Sequence, residues 1–154
     1  MSIINSKEVS LPYLIEESNL IVEVEFVKHY KENIAIAAKE PEGPPSKPIP
    51  PFVKKGYIFK VTGVLKNSGN IKVPETIQVP VENWRRSLSQ HKERYANGVS
   101  KSFTVMEYST EVDKIETASL LFLHHFQNNY ELTTGGAFEN GLAREKINML
   151  LRSA

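Results

Sequence analysis

The chain has no cysteine among its 154 residues. That excludes disulfides, thiolate nucleophiles and any zinc or iron–sulfur centre built on sulfur. It also removes the commonest staple of small secreted domains, which favours a reducing compartment. Aspartate is nearly missing too: Asp113 stands alone, and every other acid is a glutamate. No window approaches 18 consecutive apolar residues, so no segment reads as a membrane-spanning helix and no membrane partner is expected. The opening MSIINSKEVSLPYLIEESNL has no basic segment followed by an apolar run, and so does not read as a signal peptide. The expected location is the cytoplasm, or the periplasm if Met1 was added to a mature chain. A net charge of +1 gives no whole-molecule field toward nucleic acid or an anionic surface; any such binding needs a local patch.

What is present reads as one domain, 1–154, with a real core: 40% of residues are hydrophobic against 24% charged. The organising stretch is Gly56–Trp84. Tyr57, Phe59, Val61, Gly63 and Leu65 alternate with Ile58, Lys60, Thr62, Val64 and Lys66, the period of a strand with two distinct faces. Asn67-Ser68-Gly69-Asn70 is turn chemistry, with glycine expected to supply the positive φ, and Ile77, Val79 and Val81 restart the alternation.

Around this hairpin, Leu11, Leu14 and Ile15 after Pro12 predict a short helix with Glu16 and Glu17 outward. Leu20, Val22, Val24 and Phe26 against Glu23 and Glu25 predict a half-buried strand over 20–30, with 33–38 continuing it after a bend. Residues 39–55 form a proline-rich inserted loop; Lys39–Pro51 alone holds six of the nine prolines and reads as a stiff connector of polyproline II character. Asn83 is a good N-cap for a helix over 84–96, in which Trp84, Leu88, His91 and Tyr95 make one stripe expected to face the core. Ser102–Ser109 alternates as a strand. Ala118–Phe126 is apolar on both faces and predicts the most buried strand, followed by a short strand at Tyr130–Thr134 that Gly135-Gly136 ends. A last helix begins near Asn140, with Ala143, Ile147, Leu150 and Leu151 as its buried stripe.

A helix between the third and fourth strands of a five-stranded antiparallel sheet is the connectivity of oligonucleotide/oligosaccharide-binding (OB) barrels. The expected fold is therefore α+β and β-dominated: an OB-like five-stranded antiparallel barrel with an internal helix and a C-terminal helix. The runs carrying Val22 and Val24, Tyr57 to Lys66, Thr76 to Val79, Ser119 to Leu123 and Tyr130 to Thr133 resemble the netrin-like modules shared with the tissue inhibitors of metalloproteinases. The resemblance spans about residues 20–134 and implies a fold. The cysteine with which those inhibitors chelate a protease zinc is absent, so it implies no inhibitory chemistry.

Candidate chemistry is sparse, and no cofactor or metal is expected. His124 and His125 are adjacent on a strand and point to opposite faces, which rules out both serving one metal. The expected arrangement is one half-buried and the other in solvent. His29 and His91 have no partner at ligand spacing. Glu23 and Glu25 share a face but read as the solvent side of a strand, and no serine sits in a G-x-S-x-G elbow. Residues 84–101 carry Arg85, Arg86, Lys92, Arg94 and Lys101 against Glu93, a local charge of +4, beside Trp84 and Tyr95. These are the ingredients of single-strand binding, although a solvated helix needs the same charges. The P-x-x-P spacings Pro41–Pro44, Pro45–Pro48 and Pro48–Pro51 suit docking on an aromatic groove as well as a connector. The expectation is a non-catalytic binding or interaction module with a protein partner or self-association, using the proline loop around Pro45 and Pro48 and the edge of the short last strand. The alternative is a single-stranded nucleic-acid binder using Arg85, Arg86, Lys92 and Arg94. An enzyme acting through glutamate and histidine has the least support.

Overall fold

The structure is a computed structural model, and it describes residues 4–34, 51–81, 84, 87–91, 103–110, 114–126 and 129–152. Its strands are β1 (Ile4–Val9), β2 (Leu20–Ile34), β3 (Phe52–Asn67), β4 (Thr76–Pro80), β5 (Phe103–Tyr108), β6 (Leu120–Phe126), β7 (Asn129–Leu132) and β8 (Phe138–Glu139). Its helices are α1 (Leu11–Glu17) and α2 (Arg144–Arg152), and Trp84 and residues 87–91 are helical as well. Five strands run in the order β4-β3-β2-β6-β7, all antiparallel, and β8 pairs with β6. The architecture is α+β and strand-dominated, around an antiparallel sheet that is not closed. None of the described helices is long and apolar enough to cross a membrane.

The central strand explains the layering. Leu120, Leu121, Phe122 and Leu123 of β6 are four successive residues with no solvent exposure. Leu121 and Leu123 join Leu20, Val22, Val24, Phe59, Ile77 and Val79 in one core. Leu120 and Phe122 point the other way and join Ile21 in a second core under the helices, against Leu11, Leu14 and Ile15 of α1 and Ile147 of α2. Continuous apolarity is what a strand needs when both faces are covered, so this part of the sequence reading holds.

Local chemistry fixes the helices onto that second face. The Ser10 hydroxyl accepts from the Tyr13 amide at 3.3 Å, capping α1 one residue ahead of Leu11. At its other end the buried Ser18 hydroxyl donates to the Leu14 carbonyl and lies 2.7 Å from the Thr133 hydroxyl. Lys66 at the end of β3 donates to the Ile15 carbonyl at 2.6 Å. The α2 turn starts from an Asn140 cap whose carboxamide accepts from the Leu142 amide, and Arg144 pairs with Glu23 at 3.1 Å. Glu23 therefore ties α2 to the sheet instead of standing only in solvent.

Four expectations are corrected. Within the stretch expected as a strand, Phe103–Tyr108 does form one, but β5 leaves the main sheet and pairs in parallel with β1, an N-terminal strand that carries no clear period. The two sheets touch at Gly135, which pairs with Glu107; its amide donates to the Met106 carbonyl and its carbonyl accepts from the Tyr108 amide. Gly136, at φ 72, packs so close to the Tyr108 carbonyl that a Cβ there would collide with it. The connection from β3 to β4 is an eight-residue loop (68–75) in place of a tight turn, with Asn70 (φ 50) as its left-handed residue and the Asn67 carboxamide clamping Ile71 through two hydrogen bonds. β2 runs on to Ile34, past a bulge between Phe26 and Lys28 that leaves Val27 unpaired. Finally, the barrel is not closed. β4 and β7 come within 8 Å between Cα atoms, yet no ladder or backbone hydrogen bond joins them among the described residues.

Phe59 is fully buried and meets Phe26 edge-on, with ring centroids 5.9 Å apart. Phe59→Ala is therefore expected to cost about 3–5 kcal/mol from lost transfer and the cavity left behind. Urea unfolding measures this, and a loss under about 0.5 kcal/mol would place Phe59 on the surface.

A candidate binding cleft at the sheet seam

The unpaired edges of β4 and β7 border a cleft of about 350 Å³. Thr76, Ile77, Gln78 and Pro80 line it from β4, Asn129, Tyr130 and Glu131 from β7, Tyr30 and Glu32 from the end of β2, and Lys54 from β3. Strand pairing explains the assembly. Tyr30 faces Gly56, which in turn faces Pro80, and Glu32 faces Lys54. This row lies on the sheet face opposite Tyr57, Phe59, Ile77 and Val79. The bulge at Val27 puts Tyr30 there: in a regular strand Tyr30 would share a face with Phe26. Instead His29 turns to the Phe26 face, its ring 5.2 Å from Phe26 and 5.3 Å from Tyr57, and Tyr30 is released to the other side.

The Tyr30 ring packs against Gly56. A Cβ built at that glycine would stand 2.6 Å from the ring's Cζ and Oη, so no larger residue fits without moving the tyrosine. Burial pushes the Tyr30 phenol up from 10.0 to about 12, with the Glu32 and Glu131 carboxylates adding to the effect. Burial also raises Tyr130, whose ring packs 4.7 Å from that of His125.

Trp84 bridges the seam. Its indole Nε1 donates to the Glu131 carboxylate of β7 at 3.0 Å, while Lys54 Nζ of β3 stands 4.1 Å from its ring centroid. His91, further along the helical residues, meets the Phe52 ring at 5.7 Å. The sequence reading placed Trp84 in the core; it is half-buried, with its polar edge serving as a tie between strands that do not pair.

The other sequence candidates fall as follows. Arg85, Arg86, Lys92, Arg94, Pro45 and Pro48 lie outside the described residues, as do Tyr95 and the asparagine expected to cap the helix. His124 is exposed and His125 half-buried, the backbone of the latter held by the Asn19 carboxamide. His29 lies 3.5 Å from Glu116 at an exposed site. Glu25 is exposed. No group of three or more histidines and acids suited to a metal occurs among the described residues. Tyr30, Glu32, Gln78, Asn129 and Glu131 were not legible as site residues. The one sequence signal was the glycine at position 56, since an isolated glycine in a strand marks a close approach.

No family model, curated protein or solved structure matches the chain.

Two outcomes follow from this geometry. Trp84→Phe keeps a ring for Lys54 but removes the donor to Glu131, and is expected to cost about 1–2 kcal/mol in urea unfolding; an unchanged midpoint would show that the indole ties nothing. The difference in tyrosinate absorbance between the native protein and Tyr30→Phe should rise near pH 12, and Gly56→Ala should draw it down toward 10 by displacing the ring. Because the folded value lies above the unfolded one, the Tyr30 contribution to stability is full below pH 10 and is lost as pH rises to about 12. A difference curve centred at 10 in the native protein would contradict the buried position.

Proposed function

We propose that the protein is a non-catalytic binding module, an OB-type barrel left open at one seam, and that the cleft at this seam receives a protein partner. The strand order β4-β3-β2-β6-β7, with β4 and β7 adjacent and helical residues between β4 and β6, supports the OB-type reading and the netrin-like resemblance. The cleft itself carries the functional reading. It is a concave opening between two strand edges that no ladder joins among the described residues, lined by aromatic and polar side chains of the kind that receives a side chain of another protein.

Its polar groups are arranged for recognition more than for turnover. The Glu131 carboxylate accepts from Trp84, and the Lys54 ammonium rests on the indole. Tyr30 stays protonated at neutral pH and can donate a hydrogen bond but cannot act as a base. Glu32 and Glu131 oppose phosphate in the cleft, so the nucleic-acid alternative depends on the basic residues 85–94.

Selection of displayed peptides on the native protein tests the reading. Peptides are expected that bind the native protein and lose at least tenfold in affinity on Tyr30→Ala. If no peptide is enriched, while a single-stranded oligonucleotide binds at 50 mM salt and releases at 200 mM, the nucleic-acid reading replaces this one.

A further inference from the structure

Resting on the reading of the cleft as a protein-docking site, we infer that it selects a basic side chain, lysine or arginine, presented by an extended segment of the partner. Charge complementarity at a concave site favours such a cation. Among the described residues, two carboxylates, Glu32 and Glu131, line the cleft against one ammonium, Lys54. That ammonium is already placed on the Trp84 ring, and although Lys54 faces Glu32 across the β2–β3 pairing, no ion pair joins them. The field of both carboxylates reaches the Tyr30 hydroxyl and opposes a negative charge there. A cation from outside meets the opposite response. Glu32 offers it a carboxylate, Tyr30 and Tyr130 offer aromatic rings, and the Gln78 and Asn129 carboxamides offer acceptor oxygens for its remaining N–H groups.

Geometry fixes the form of the ligand. Strands in a sheet lie about 4.8 Å apart, so a strand inserted between β4 and β7 needs a gap of about 9.6 Å. The two edges come within 8 Å. A whole strand does not enter the seam, but a single long side chain does. Lysine and arginine suit this because their aliphatic stems pass along Pro80 while the charged head lies among the polar groups.

Trp84 is the only tryptophan in the chain and stands at the site, so its fluorescence reports occupancy. Blocked pentapeptides of one sequence, with lysine, arginine, norleucine or glutamate at the centre, are titrated against the native protein. Trp84 emission is read together with the amide resonances of Gly56, Gln78 and Glu131. The lysine and arginine peptides are expected to bind at least tenfold more tightly than the norleucine peptide, with the glutamate peptide weakest. Glu32→Gln, a substitution at an exposed position, should weaken the basic peptides about three- to tenfold without moving the melting temperature. If norleucine or glutamate peptides bind as tightly and move the same amides, the cleft stands as a docking site and the selection of a cation is wrong. If no peptide of any charge moves those amides, the docking site falls, and this inference with it.

Discussion

Burial of both faces of β6 is the constraint on which the remaining structure depends. Four consecutive side chains, Leu120 to Leu123, are removed from water on alternating sides, and each side requires its own cover. One cover is the curved sheet itself, which brings Phe59, Ile77 and Val79 over Leu121 and Leu123. The other is the pair of helices that place Leu14, Ile15 and Ile147 over Leu120 and Phe122. At about 25 cal/mol per Å² of apolar surface buried, such residues dominate the favourable side of folding. The capping of α1 by Ser10, the Arg144–Glu23 pair and the Lys66 bond to the Ile15 carbonyl then orient elements whose burial is already decided.

Away from that centre the constraint relaxes. β7 is four residues long, and β4 ends at Pro80, which has no N–H to give a neighbouring strand. The two edges approach without a ladder, and side chains span the gap instead. Trp84 is suited to that role because its body is apolar and its edge carries a single donor, so one residue covers surface and reaches Glu131. The cleft is thus a consequence of short edges around a rigid centre. Its tyrosine is held by a glycine on the neighbouring strand, and its charged groups remain close to water.

Much of this was legible in the sequence where burial has a period. The spacing of Leu11, Leu14 and Ile15, the alternation of Leu20, Val22 and Val24, the doubly apolar run in β6 and the stripe through Ala143 and Ile147 all correspond to buried positions or to residues packed against the core. Periodicity identifies an element but not its partner, so Phe103–Tyr108 was recognisable as a strand while its parallel pairing with Ile4–Val9 was not. The site was harder to read for a specific reason. A single bulge at Val27 reverses the facing of everything after it in β2, and no residue type there announces the bulge. Tyr30, Gly56 and Glu131 come together from three separate strands through that reversal. Trp84 was placed in the core by its helical spacing, because spacing records a face and is blind to the polar edge of the ring.

The open seam between β4 and β7 is the claim on which the cleft and its proposed role both rest. Native-state amide hydrogen exchange tests it most directly. The open seam requires the amides of β6 and of its partner segment in β2 to exchange slowest, with those of β4 and β7 that point toward one another exchanging orders of magnitude faster. Protection of those edge amides equal to that of β6 would mean that the two strands are hydrogen-bonded in solution. The sheet would then be a closed barrel, and the cleft would not be the binding site.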